Sequence, residues 1–239
     1  MCGRYSLIVE MEQLLIYYGI QPSAYAHTPR YNIAPGQSLP AIIADADGTR
    51  RIGPLRWGLV PSWAKEEKVG YMMINARAET LADKPAFRKL LPSRRCILPA
   101  DGFYEWRKLN KNEKQPYRIT LKDKSLFSMA GLYDTWISPS GDKVNTCTII
   151  TTVPNELMQP IHDRMPVILP PEHVRHWLNK EITDLSQLMQ LLQPYSSEQM
   201  RLYPVNPLVG SVKNDSPACI EPYQIPQQDR DSTVQLELF

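Results

Sequence analysis

A cysteine directly behind the initiator methionine, in the opening MCGRYSL, is a reagent that no internal cysteine can match. Removal of Met1 would leave Cys2 with an α-amine and a thiol on adjacent carbons, titrating near pH ~8 and ~8.5, so a usable fraction of each is nucleophilic at neutral pH. Two chemistries suit that pair: amide hydrolysis with the amine as its own base, and capture of an aldehyde as an imine that the thiol closes into a thiazolidine. A small residue in a start-site context is the plainer alternative. Four other stretches place polar groups where a fold prefers apolar ones. In MMINARAET, alternation puts Asn75 and Arg77 on one strand face. In ILPADGFYEW, aromatic surroundings would desolvate Asp101 and Glu105 and raise their pKa values. IHDRMP sets His162 beside Asp163 and Arg164, and RYNIAPG presents Arg30 and Asn32. Singly each has a structural alternative: a turn amide, a surface strand residue, a solvent-facing loop histidine. With Cys2 they supply a nucleophile, a proton-shuttling carboxyl group, an imidazole and an orienting amide, the set that imine or acyl chemistry requires.

These residues need a scaffold, and the chain is long enough to build one. At 239 residues, 43% hydrophobic and 22% charged, it reads as one ordinary globular domain with a substantial core. No apolar run approaches ~18 residues and the N-terminus lacks an apolar signal core, so the simplest expectation is a cytoplasmic protein. Cys2, Cys96, Cys147 and Cys219 show no CxxC spacing, so neither a zinc site nor a disulfide framework is expected, and no metal or cofactor is implied. Charge is unevenly spread: residues 1–120 hold 18 Lys/Arg against 11 Asp/Glu, whereas residues 121–239 hold 9 against 14. The basic first half points to an anionic partner.

The pattern predicts a helix at about 9–19 ended by Gly19, and another starting at Asp83 as N-cap and running through FRKLL. Between about 94 and 152 it turns to strands: RCILPADGFYEW, PYRITLK, SLFSMAGLYDTWI and TCTIITT. PPEHVRHWLN and DLSQLMQLL then read as helices, the second capped by Asp184. Strands in the middle with helices around them predict an α+β class: a single domain over residues 1–224 with a central antiparallel, barrel-like β-sheet flanked by helices. Residues 225–239 read as a flexible tail that ends in an apolar pentapeptide.

Taken in order, MCGRY, RYNIAPG, RWGLVPSWA, INARAET, FRKLLPSRRCILPADGFYEW, IHDRMP and VKND resemble the SOS-response-associated peptidase (SRAP) family, whose members shield abasic sites. The resemblance spans residues 2 to about 222 and rests on the ordered combination. It implies that Met1 is removed and that Cys2 forms a thiazolidine with the ring-opened aldehyde of an abasic site in single-stranded DNA. In that setting His162 would deliver a proton to the ring oxygen and Glu105 would shuttle protons during imine formation. Asn75 would hold the sugar or the amine. Arg4, Asn32, Arg77, Lys84 and Arg88 would serve DNA binding, and Trp63 would act as a wedge beside the lesion. Family members often follow this tryptophan with a second bulky residue, whereas this chain reads Trp63-Ala64-Lys65, which puts its grip on a duplex junction in question. Two other readings stay open: a cysteine-dependent (auto)peptidase using Cys2, and a noncovalent single-strand binding module. At the far end, Gln235, Leu236, Leu238 and Phe239 are similar to the peptide by which bacterial repair proteins dock on the sliding clamp. A monomer, associated with the nucleoid during replication, completes the expectation.

Overall fold

The computed structural model describes residues 2–226. Thirteen strands occur among them: β1 Tyr5–Leu7, β2 Arg30–Ile33, β3 Ser38–Ala44, β4 Arg50–Trp57, β5 Asn75–Arg77, β6 Arg95–Ala100, β7 Gly102–Lys108, β8 Lys114–Leu121, β9 Phe127–Ile137, β10 Lys143–Thr152, β11 Met165–Pro166, β12 Ile168–Leu169 and β13 Met200–Pro204. The α-helices are short: α1 Met11–Tyr18, α2 Pro85–Arg88, α3 Pro171–Leu178 and α4 Leu185–Gln190. The α+β class read from the sequence is thus the fold.

The strand-rich middle divides over two sheets. One closes on itself: β4 pairs with β3, β3 with β6, β6 with β9, β9 with β10, and β10 returns to β4. Four of these five pairings are antiparallel, and the closing one, Thr146↔Arg56 and Cys147↔Trp57, is parallel. A closed ring leaves no edge, and its strands face side chains on both surfaces, which is why β6 is buried along its whole length rather than alternating. The second sheet is open, in the order β13-β8-β7-β1-β2. Strand β6 runs into β7 through Asp101 alone, so one continuous stretch belongs to the barrel and then to the open sheet.

Helix α1 buries Leu14 and Tyr18, one turn apart, and stops where Gly19 takes a left-handed φ of 63° that costs a glycine nothing. Helix α3 lays Val174, Trp177 and Leu178 on β6, β9 and β12. Asp184 caps α4, accepting the Ser186 N–H at 2.8 Å. The helix expected from an Asp83 cap differs: it begins at Pro85 with Lys84 as the N-cap, because proline disfavours helical backbone in the residue before it and Lys84 is accordingly extended. No helix among the described residues is long and apolar enough to cross a membrane.

Candidate active site

The start of the chain is laid along β7. Tyr5 opposes Phe103, Ser6 opposes Gly102, and the Tyr104 N–H donates to the Arg4 carbonyl at 2.9 Å, so the residues ahead of Tyr5 run on toward Glu105. Cys2 ends up fully buried. Burial pushes its thiol above the ordinary range, and the negative charge of Glu105 is the next largest cause. The Cys2 carbonyl accepts the Asn75 Nδ2–H at 2.8 Å, which ties the chain start to β5 and, through the Ile149↔Asn75 pairing, to β10 of the barrel. The other amide atom, Asn75 Oδ1, is buried and has no hydrogen-bond partner among the described residues.

Glu105 is 3% exposed on β7. Burial, opposed by the positive charge of the amino terminus, pushes its carboxyl up to about 8. At neutral pH it therefore holds its proton in a site where an ordinary carboxylate would not. His162 Nε2 stands 3.9 Å from Glu105 Oε2. The imidazole sits in the loop between β10 and β11, where the Arg164 backbone N–H donates to its Nδ1 at 3.0 Å and Asp163 Oδ1 lies 2.9 Å from the same atom. The two contacts demand opposite states of Nδ1. Burial, aided by the amino-terminal charge, holds the ring pKa below its usual value, so the neutral ring accepts from Arg164 and carries its proton on Nε2, facing Glu105. Arg164 fixes this loop: its guanidinium forms a two-pronged pair with Glu79 at 2.8 and 2.9 Å and donates to the Thr151 carbonyl of β10 at 2.6 Å. Glu79 belongs to the turn that follows β5, so the histidine loop and the asparagine strand are braced against each other.

The four expected catalytic residues thus converge from β5, β7, the chain start and one loop. The residues expected to bind DNA divide. Arg77, Lys84 and Arg88 are exposed. Asn32 is fully buried, and its Nδ2 donates toward the carbonyls of Val209, Ser211 and Asn214 at 3.2, 3.1 and 2.6 Å. Its placement corrects the expectation of a DNA contact, since an amide surrounded by three carbonyls is a clamp on the VKND segment. Arg4 joins the same clamp, donating to Asn32 Oδ1 at 2.9 Å and the Val209 carbonyl at 2.7 Å with its guanidinium 5.8 Å from the Trp106 ring centre. Trp63 is 64% exposed. Its neighbour Ala64 packs inward with Val60 and Trp136 and gives its carbonyl to Trp136 Nε1 at 2.7 Å. A bulky side chain at position 64 would meet this cluster, while Tyr71 and Met72, 75% and 81% exposed, supply the loop's other apolar surface.

Sequence reading passed over Glu79, Gly58 and Gly70. The last two lie back to back, with a Cβ on Gly58 falling 2.8 Å from the Gly70 carbonyl oxygen, and this contact closes the loop that carries Trp63. The glycine in RWGL was the available signal. Among the described residues no group of three or more His, Cys, Asp or Glu is arranged to hold a metal ion.

Relatives share this frame. Over 224 residues the chain is 54% identical to the abasic site processing protein YoqW of Bacillus subtilis (strain 168), covering 92% of this chain and 99% of that one. It is 34% identical over 233 residues to the abasic site processing protein HMCES of Rattus norvegicus, covering 82% of this chain and 65% of the longer rat protein. The crystal structure of a protein from Bacteroides thetaiotaomicron matches with a TM-score of 0.82 at 30% identity, over 93% of this chain and all of that one. The model of the family described as SOS response associated peptidase (SRAP) matches residues 1–212, a span that takes in Cys2, Asn75, Glu105 and His162 together, and the chain belongs to that family.

Proposed function

We propose that this protein captures abasic sites in single-stranded DNA as a covalent thiazolidine on Cys2, after loss of Met1. The observation that carries the reading is the burial of Cys2 against a carboxyl group that keeps its proton near neutral pH. An abasic sugar is largely a closed hemiacetal, and it opens to the aldehyde when the minor imidazolium form of His162 delivers its Nε2 proton to the ring oxygen and the imidazole then takes up the proton of the anomeric hydroxyl. The Cys2 amine adds to the carbonyl carbon, and the resulting carbinolamine loses its hydroxyl as water when Glu105 donates a proton. The thiol adds to the carbon of the iminium, whose nitrogen already carries its hydrogen, and the thiol proton returns to Glu105. Aldehyde and aminothiol become thiazolidine and one water, and Glu105 is restored. Asn75 holds the Cys2 backbone through this sequence and offers Oδ1 to the amine or sugar. The exposed Arg77, Lys84 and Arg88 hold phosphates, with Trp63 stacking beside the lesion.

Cys2→Ala should abolish an adduct that survives denaturation, and Cys2→Ser should leave only a labile imine. A stable serine adduct would exclude the thiazolidine. A peptidase acting through Cys2 requires a thiolate, whereas the buried thiol is held protonated, so capture with the amine attacking first fits better. Incubating the protein with peptide libraries alongside abasic DNA separates the two. A noncovalent module would bind intact strands with no dependence on Cys2.

Gln235, Leu236, Leu238 and Phe239 lie outside the described residues. Their sequence supports a second element of the proposal, docking on a bacterial sliding clamp, with Leu236, Leu238 and Phe239 as apolar anchors and Gln235 as the polar handle. Deleting residues 235–239 should leave crosslinking in vitro intact. Failure of a peptide spanning residues 226–239 to bind the clamp at up to about a millimolar would remove this element.

A further inference from the structure

A cleft of about 340 Å³ opens beside Trp57, between the Gly36 turn and the Gly70-Tyr71 segment. Its size lies at the small end of ligand sites, roughly 300–1,000 Å³, and suits one planar ring system rather than a peptide. The floor is backbone and glycine. Gly36 donates its N–H to the Trp57 carbonyl at 2.7 Å and Trp57 donates to the Gln37 carbonyl at 3.0 Å, so these groups are satisfied and make no demand on a ligand. Gly36 has φ +86°, and a Cβ there would lie 3.9 Å from Tyr71 Cε1, so the tyrosine ring rests close over the turn and forms a wall. That ring is 75% exposed, an unusual state for an aromatic that is not used. At the rim Arg56 pairs with Glu67, and Lys68 pairs with Glu66 at 2.6 Å.

The rim decides the chemistry of the occupant. A bare anion would meet Glu67, and a cation would meet Arg56 and Lys68. A neutral planar group whose edge carries both donors and acceptors matches a guanidinium–carboxylate pair, and its face matches the phenol ring. Nucleobases have that edge and that face. The cleft is also joined to the active site by one side chain. The Trp57 indole, 1% exposed, packs on Tyr5 with ring centres 5.6 Å apart, three residues from Cys2, and its Nε1 donates to the Ile74 carbonyl at 2.8 Å, one residue before Asn75. A base next to an abasic site has already lost one stacking partner and is the cheapest in the strand to turn out.

We infer that this cleft is a subsite for one unstacked nucleobase neighbouring the lesion, held on Tyr71 and read at its edge by Arg56 and Glu67. The inference rests on the abasic-capture reading and extends it to the intact part of the strand. Strands carrying a tetrahydrofuran analogue, which has no aldehyde, measure the subsite without crosslinking, and true abasic strands measure the Cys2 chemistry on denaturing gels. With 2-aminopurine or a second tetrahydrofuran at each neighbouring position in turn, the full chain should bind about tenfold more tightly when one particular neighbour bears a base. Tyr71→Ala should reduce that ratio to near unity and abolish the change in 2-aminopurine emission, whereas Tyr71→Phe should keep both. Equal binding with and without the base, or a ratio that survives Tyr71→Ala, overturns the subsite while a Cys2-dependent crosslink still stands. Absence of any crosslink to true abasic strands overturns the capture reading and this inference with it.

Discussion

Asp101 and Glu105 stand four residues apart on one continuous stretch, both more than nine-tenths buried, yet their surroundings assign them to different work. Asp101 Oδ1 accepts from Arg118 Nη2 at 2.7 Å and from Ser6 Oγ at 2.7 Å, and Oδ2 accepts from the Ile8 backbone N–H. Burial pulls the Arg118 guanidinium down, but Asp101 and the phenols of Tyr203 and Tyr104 outweigh it, and the guanidinium stays charged. Glu105 meets an imidazole at 3.9 Å and the start of the chain instead of a guanidinium, and burial dominates. The first carboxylate anchors β1 at the point where β6 passes into β7, from barrel to sheet. The second is held as an acid. A buried carboxyl group becomes scaffold or reagent according to the donors it meets.

The largest expected effects test that division directly. Glu105→Gln should slow adduct formation by about 10²-fold or more, the usual range for loss of general acid–base catalysis, and, because every step of imine formation is reversible and the same carboxyl group can reopen the ring when the strand becomes duplex, it should slow release from duplex DNA as well. The same change should not lower the denaturation midpoint, because a neutral amide replaces a desolvated acid. Asp101→Asn should do the reverse: about 3–5 kcal/mol of stability lost, since Arg118 is left as an uncompensated buried charge, with no comparable loss of rate in the folded fraction. If release from duplex is unchanged in Glu105→Gln, the shuttle passes to His162 or Asp101.

The pH dependence sharpens the same contrast. Folding raises Glu105 from its ordinary 4.5 to about 8, so between these values the folded chain keeps a proton that the unfolded chain has released. The stabilising contribution is complete below about 4.5 and disappears as the pH rises to about 8. Wild type should therefore lose stability relative to Glu105→Gln across that window and run parallel to it above. Urea midpoints of the two proteins at matched pH read the difference, and a difference that grows with pH in favour of wild type would contradict a protonated Glu105.

Gly102 offers a smaller, steric route into the scaffold half. A Cβ there would fall 2.6 Å from Arg118 Nε and 2.8 Å from its Cζ. Gly102→Ala should cost about 1–3 kcal/mol by forcing the guanidinium aside, measured by thermal or urea unfolding. A neutral outcome would mean that Arg118 moves freely and that the Asp101 pair does not brace β1.

The contrast was only half legible in the sequence. Local signals did well: Gly19 as a helix stop, Asp184 as a cap, the strands between 94 and 152, and a carboxyl group among the aromatics of FYEW. The sequence offered no way to tell Asp101 from Glu105, because the deciding partners, Ser6 and Arg118, lie 95 and 17 residues from Asp101. An arginine inside the apolar strand PYRITL was the one hint of a buried pair. Asn32 was misjudged for the same reason: its carbonyl partners are 177 to 182 residues away. Ring closure was also hidden, since the parallel β10–β4 pairing joins strands some 90 residues apart and leaves no periodic trace in either.

Ser6→Ala is the mildest chemical change to the scaffold half, and its small size is what makes it informative. The hydroxyl has one hydrogen, which goes to Asp101 Oδ1 at 2.7 Å in preference to the Gly102 carbonyl at 3.2 Å, because the carboxylate is the stronger acceptor. Its oxygen in turn accepts from Arg118 Nη2 at 3.0 Å and from Arg118 Nε at 3.3 Å. Removing it leaves Asp101 with Arg118 and the Ile8 N–H, and leaves Arg118 with Asp101 and with Tyr203 Oη at 2.9 Å. Neither charge is stranded, but the hydroxyl bonds to both charged groups, so the loss should be about 1.5–3 kcal/mol, the range for hydrogen bonds to charged groups and below the Asp101→Asn value. Adduct formation should keep its wild-type rate, since β1 retains its pairing with β7 and Cys2 its bond from Asn75. A loss as large as that of Asp101→Asn would show that the hydroxyl, and not the ion pair, holds β1 in place. A slowed adduct would show that the two carboxylates are coupled through the strand that separates them.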